Sequence, residues 1–198
     1  SYRDATVDQL RKGIQGLLRH HGVTIVSGHG ELTAPNTLRC TGTDSVEVIT
    51  ATDIVLATGS KPSVPPIPGL DETGYWTSDT LLESKPELPE RMVIIGGGVI
   101  GVESATILHD LGVKVTIVEM MPQLLPRMDA EIARVLTKSL KKRGITVHTG
   151  TTVQSVSVSG GEKHCSISGR NGEEVIPADE LMVAIGRAPS TEGCGLDS

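Results

Sequence analysis

The chain has 198 residues, enough for one large domain or parts of two. Hydrophobic residues make up 37%, with 23 Gly, no Phe and 2% aromatics, so a core is within reach and must be built from aliphatic side chains. Lys and Arg number 18 against 24 Asp and Glu, a net charge of −6; this excludes the basic footprint of a general nucleic-acid binder, and no apolar run reaches membrane-spanning length.

The N-terminal segment reads as a helix. Thr6 and Gln9 have capping-box spacing, Leu10, Ile14, Leu17 and Leu18 fall on one face, and Gly22 is the stop. Residues 23–26 (VTIV), 46–50 (VEVIT) and 53–57 (DIVLA) are expected strands. Gly28-His29-Gly30 follows the first of these and permits close backbone approach. Ala57-Thr58-Gly59-Ser60 follows the last, and as a bare pattern it is a common turn. Pro62, Pro65, Pro66 and Pro68 make residues 61–68 a linker. Pro86 and Pro89 punctuate again, and a domain boundary is expected near residues 85–90.

Residues 91–95 form a continuous apolar run ending in glycines, as a buried parallel strand does. Residues 99–111 carry a helical stripe of Ile100, Ile107, Leu108 and Leu111, closed by Gly112. A second strand is expected over 113–119. Asp129 is placed to cap the next helix, with Ile132, Val135, Leu136 and Leu140 on its buried face and Lys138, Lys141, Lys142 and Arg143 solvated near its C-terminus. Gly144 ends that helix, and residues 145–148 are a third strand. The alternation is half of a doubly wound α/β fold. Three short strands follow over 153–159, 164–168 and 174–176, joined by SGGE and RNGE turns that signal hairpins of an antiparallel meander. Residues 180–185 are a last apolar strand.

One motif carries chemistry. Gly96-Gly97-Gly98-Val99-Ile100-Gly101 satisfies GxGxxG between an expected strand and an expected helix. Glu119 ends the next strand, close to the offset of about 20 residues at which the dinucleotide fingerprint has its acidic residue. Gly96 allows the tight turn, Gly98 lets backbone approach a pyrophosphate, and Gly101 lets helix and strand pack closely. The helix N-terminus offers N–H groups and positive dipole to phosphates. Glu119 can accept hydrogen bonds from both ribose hydroxyls and would repel a 2′-phosphate, which predicts NAD(H) over NADP(H). The competing reading is a Gly-rich packing turn with a solvated Glu. Glu103 is open to two readings, a carboxylate favoured by the helix N-terminus or one near a reacting ring. The six histidines have no metal-ligand spacing. Cys40, Cys165 and Cys194 match no paired or metal pattern, and isolated thiols suit a reducing compartment, hence the cytoplasm.

The order GHG, DIVLATGSKPSVPPIPGL, RMVIIGGGVIGVESA, KVTIVE and ADELMVAIGRAPST resembles the pyridine nucleotide–disulfide oxidoreductases, and within them the dihydrolipoamide dehydrogenase branch. Mercuric reductase, glutathione reductase and NADH oxidase relatives share most of these motifs. The resemblance implies a partial FAD-binding domain over 1–87, an NAD-binding domain over 88–188, and a return toward the FAD domain over 189–198. It implies NAD contacts from Gly96, Gly97, Gly98, Val99, Ile100, Gly101, Val102 and Glu103, from Glu119 at the ribose, Val153 at the adenine and Gly186 at the nicotinamide end. Gly30, Thr58, Gly59 and Ser60 would border FAD, and Glu103 would lie close to the flavin–nicotinamide stack. The implied reaction passes electrons from a small-molecule or lipoyl-domain dithiol through a disulfide and FAD to NAD, in a homodimer. The family's FAD-binding GxGxxG, its CxxxxC pair, its later GD segment and its C-terminal His-Glu pair are not among these residues, and GRxPN reads Gly186-Arg187-Ala188-Pro189-Ser190. The expectation is therefore a central piece of a longer enzyme, inactive alone, that supplies no catalytic residue and no metal ligand. A stand-alone NAD-binding module is the reading from another class.

Overall fold

The computed structural model describes residues 2–83, 87–170 and 172–196. The boundary expected near 85–90 falls partly outside them. The chain is an α/β protein with parallel and antiparallel sheets, and its contacts divide it into two units, Ser1–Thr58 with Ser190–Ser198, and Gly59–Pro189.

The first unit opens with helix α1 (Tyr2–His20). This helix begins four residues before the expected cap. Thr6 lies inside it, and its hydroxyl donates to the Tyr2 carbonyl at 3.0 Å, the back-bond of a mid-helix threonine. The capping-box expectation therefore fails. Leu10, Ile14 and Leu17 are exposed, because no described element covers that face. Strands β1 (His29–Ala34), β2 (Thr37–Thr41) and β3 (Val46–Thr50) form an antiparallel sheet. Only β3 was expected. Residues 23–26 and 53–57 are not strands. They have strand-like composition, yet no strand among the described residues includes them; the Val23 amide donates to the Leu18 carbonyl at 2.9 Å instead, and Val23, Ile25, Val55 and Leu56 stand exposed.

The second unit starts with β4 (Ser60–Pro62), at the head of the expected linker, then α2 (Leu70–Thr73) and α3 (Ser78–Glu83). The βαβαβ run follows as β5 (Arg91–Ile95), α4 (Val99–Asp110), β6 (Lys114–Glu119), α5 (Ala130–Arg143) and β7 (Thr146–Thr149). Asp129 caps α5 as its sequence suggests, accepting from the Glu131 and Ile132 amides at 2.8 and 3.4 Å. Strands β8 (Thr152–Ser159), β9 (Glu162–Gly169) and β10 (Gly172–Ala178) are the meander, and β11 (Glu180–Val183) and β12 (Arg187–Pro189) complete the unit. The β8–β9 turn has positive φ at both Gly160 and Gly161, as a two-residue primed turn requires. The second hairpin turn includes Asn171, which lies outside the described residues.

Strands β5, β6, β7 and β11 form one parallel sheet in the order β11-β5-β6-β7. Alternation along the strands divides the core. Met92 and Ile94 of β5, Val115 and Ile117 of β6 and Met182 of β11 join Val102, Ala105 and Leu108 of α4 in one apolar cluster. Val93 and Ile95, Val118, Leu181 and Val183 face Val156, Cys165 and Ile167 of the meander in a second. Helices α4 and α5 thus cover one face and an antiparallel sheet the other. The helical stripes hold in part: Leu108 and Leu140 are buried as expected, and Ile100 and Leu136 are half-buried against the first cluster. In α4 Val102, Ala105 and Leu108 are buried while Ile107 and Leu111 are exposed; in α5 Ala133 and Leu140 are buried while Ile132 and Val135 are exposed. Among the described residues no helix is long and apolar enough to cross a membrane, and no cluster of His, Cys, Asp or Glu could hold a metal.

Candidate functional site

The glycine turn lies at the C-terminal end of β5, where the parallel sheet opens. Gly96 has φ +111°, which turns the chain sharply out of the strand, and its N–H donates to the Val118 carbonyl at 2.9 Å. A side chain there would run into the backbone of Ala184, with the carbonyl oxygen 2.5 Å from its Cβ. A Cβ on Gly101 would fall onto the Gly96 carbonyl, so the first turn of α4 rests directly on the turn before it. Gly98 differs: a Cβ there meets nothing within 4 Å. Gly98 is the N-cap of α4 and makes no side-chain cap. As at any helix start, the first N–H groups have no intrahelical acceptor, and no side chain caps them from Gly98. Val99 is exposed and Ile100 half-buried, while Val102 packs inward.

Glu119, the last residue of β6, is only 8% exposed. Its Oε2 accepts from the Gly97 amide at 2.5 Å and its Oε1 from the Met121 amide at 2.7 Å. Each carboxylate oxygen keeps a lone pair for a further donor. A Cβ on Gly97 would collide with Leu124 and lie 2.9 Å from the Glu119 Cβ. The structure thus brings Gly96, Gly97, Gly98, Gly101 and Glu119 together.

The other expected residues are less concentrated. Glu103 is exposed on α4, beyond its first turn. Val153 is 8% exposed in the meander-side core. Gly186 has φ +134° in the loop between β11 and β12, and its carbonyl accepts from the Ser63 amide at 3.0 Å. Gly30 pairs with Cys40 in the first unit, to which Thr58 also belongs; Gly59 and Ser60 belong to the second. Two features carry no sequence signal. The Arg187 guanidinium donates to the Ser60 carbonyl at 2.6 Å, the Ser60 hydroxyl at 2.8 Å and Asp79 at 3.0 Å, binding the loop after Gly186 to the start of β4. Leu125, in the loop after Glu119, has φ +49°. A cavity of about 410 Å³ lies elsewhere, between α5, β7 and the β9–β10 hairpin, lined by Lys141, His148, Arg170 and Glu174 among others. None of the glycine-turn residues lines it. The cysteines are all buried, and burial pushes the Cys165 thiol up to about 11.

Residues 2–197 match the model of the family described as pyridine nucleotide-disulphide oxidoreductase, and the chain belongs to that family. It is 35% identical to the dihydrolipoyl dehydrogenase of Thermus scotoductus over 100% of this chain and 42% of that protein. It is 34% identical to the mercuric reductase of Staphylococcus aureus over 99% of this chain and 35% of that protein. Among solved structures it is similar to the HOCl-induced flavoprotein disulfide reductase RclA from Escherichia coli, with a TM-score of 0.82 and 29% identity over 98% of this chain and 43% of that one. The chain thus spans less than half the length of the relatives it matches.

Proposed function

We propose that residues 88–188 bind NAD(H) within a flavin-dependent disulfide oxidoreductase of the dihydrolipoyl dehydrogenase type. In this reading residues 1–87 and 189–198 contribute to an FAD-binding domain, with Gly30, Thr58, Gly59 and Ser60 bordering the flavin nucleotide. The parallel sheet with its glycine turn is then a Rossmann-type NAD-binding arrangement. One observation carries the reading: an uncapped helix N-terminus opens onto free space at Gly98, and the buried Glu119 carboxylate is held beside the same turn.

The residues fit a dinucleotide. The amides at the start of α4 would donate to its diphosphate, and the bare Gly98 lets the backbone approach it. Glu119 would accept from the adenosine ribose hydroxyls while keeping its backbone donors, and its charge opposes a 2′-phosphate. Val153 would bound the adenine through its backbone, and Gly186 and Glu103 would face the nicotinamide end. When bound, the two cofactors supply the electron and hydride chemistry linking a dithiol–disulfide pair to NAD. The chain's own part is binding and orientation. A lipoyl-domain or small-molecule dithiol as electron donor and a homodimeric assembly are proposals of the same kind, supported by the family membership. The similarity to a mercuric reductase favours a second reading, in which the same NAD site serves a mercuric reductase-like member of the family.

Titration of the chain with NADH and NADPH tests the reading. NADH binds more tightly than NADPH, and Glu119→Ala weakens NADH and narrows the difference. Equal affinities for both nucleotides in both proteins would refute the ribose assignment.

A further inference from the structure

Leu125 is the only non-glycine residue with positive φ among the described residues. A bulky side chain in the left-handed region is strained, and such strain persists only where the surroundings enforce it. Here they do. The Leu125 amide donates to the Gly97 carbonyl at 2.8 Å, and the Leu125 carbonyl accepts from the Met128 amide at 2.8 Å. The Gln123 side-chain amide donates to the Met128 carbonyl at 3.1 Å, closing the loop on itself. Next in the chain, Leu124 is fully buried and occupies the space a Gly97 side chain would need. Gly97 is therefore held in both of its peptide units, its N–H by Glu119 and its C=O by Leu125.

We propose that the 120–128 loop is a positioning brace for the glycine turn, and that Leu125, strained at positive φ, is its positioning residue. The brace fixes the Gly97 and Gly98 peptides so that the start of α4 faces a diphosphate without first having to order. A donor array fixed in advance binds more tightly than one that must be ordered on binding. Glu119 and the loop hold Gly97 through different groups, so the loop sets the diphosphate donors while Glu119 keeps its own bond to the Gly97 amide. The Leu125 side chain touches no nucleotide in this scheme; the effect passes through the Gly97 carbonyl. The proposal rests on the nucleotide reading above.

The full 198-residue chain is titrated with NADH and ADP by calorimetry and with adenosine by ligand-observed NMR. Leu125→Asn, which tolerates positive φ and keeps the amide, binds all three within about twofold of the parent. Leu125→Ile, whose β-branch disfavours that conformation, binds NADH and ADP about tenfold more weakly but adenosine unchanged. Leu124→Val loosens the packing against Gly97 more gently and gives the same pattern with a smaller factor, should the isoleucine variant fail to fold. Loss of adenosine binding in step with ADP would make the loop merely structural and overturn the proposal, as would unchanged ADP binding in both Leu125→Ile and Leu124→Val. If the parent chain binds neither NADH nor ADP, the nucleotide reading itself falls, and the proposal with it.

Discussion

Adding a single methyl group at Gly98 or at Gly101 separates folding from binding within one turn. At Gly98 the backbone has φ −73° and ψ −174°, open to any residue, and the new Cβ meets nothing within 4 Å. The folding cost is only that alanine is a poorer N-cap than glycine, about 0.5 kcal/mol. At Gly101 the new Cβ falls onto the Gly96 carbonyl oxygen, 3.1 Å from its carbon and 3.5 Å from the Ala184 Cβ. Most of these are backbone atoms, so relief requires shifting the first turn of α4. Overpacking of this kind costs about 3 kcal/mol at the upper end, against about 1 kcal/mol gained from alanine over glycine inside a helix. The net loss of about 2 kcal/mol lowers Tm by about 4–8 °C, against about 1–2 °C for the Gly98 variant. Binding runs the other way. Gly98→Ala pushes a diphosphate off the helix amides, and losing one charged hydrogen bond is worth about 1.5–3 kcal/mol, a tenfold to hundredfold weaker NADH affinity. Calorimetric melting and NADH titration of both variants check this. A Gly98→Ala protein that binds NADH like the parent would refute the placement of the diphosphate. An unchanged Tm in Gly101→Ala would refute the contact argument.

Two further predictions concern ionisation. Arg91 pairs with Asp179 at 2.5 Å and Glu162 at 2.7 Å, and its guanidinium holds both carboxyls below their ordinary range. Their contribution to stability is complete above the unfolded carboxyl range of about pH 4 and is lost as pH falls through it toward the lowered values. Urea unfolding between pH 7 and 3 shows stability dropping below about pH 5, with a shallower drop in Arg91→Met; parallel curves would contradict the pairing. Cys165, fully buried with its thiol pushed up to about 11, resists a thiol reagent at pH 8 until urea unfolds the chain. Prompt labelling in the native state would show that the second core cluster opens.

The parallel-sheet run was readable because several signals agree there. Residues 91–95 are apolar throughout, the glycine turn and Gly112 punctuate α4, and the Asp129 cap marks α5. The helical faces were harder to read, since burial was assigned to the largest side chains. Ala133 is buried and Ile132 exposed, so side-chain size alone did not reveal the buried face. In the first unit composition pointed to strands at 23–26 and 53–57, which join no sheet among the described residues. The β1–β2 hairpin was missed because charged residues interrupt its apolar alternation: Glu31 and Arg39 face each other in register and form an ion pair at 2.5 Å. That Glu119 would come beside the glycine turn was legible from spacing alone. Leu125 was not, because nothing about leucine signals positive φ; only the hydrogen bond to Gly97 reveals why it is there.

The central claim is that a pyridine nucleotide sits on the turn between β5 and α4, beside Glu119. Amide NMR of the chain during NADH addition tests it most directly. The account predicts that the amides of Gly97, Gly98, Val99 and Met121 shift while His148, Thr149 and Arg170 around the 410 Å³ cavity stay in place. Shifts confined to that cavity, or an unmoved glycine turn at saturating NADH, would contradict it.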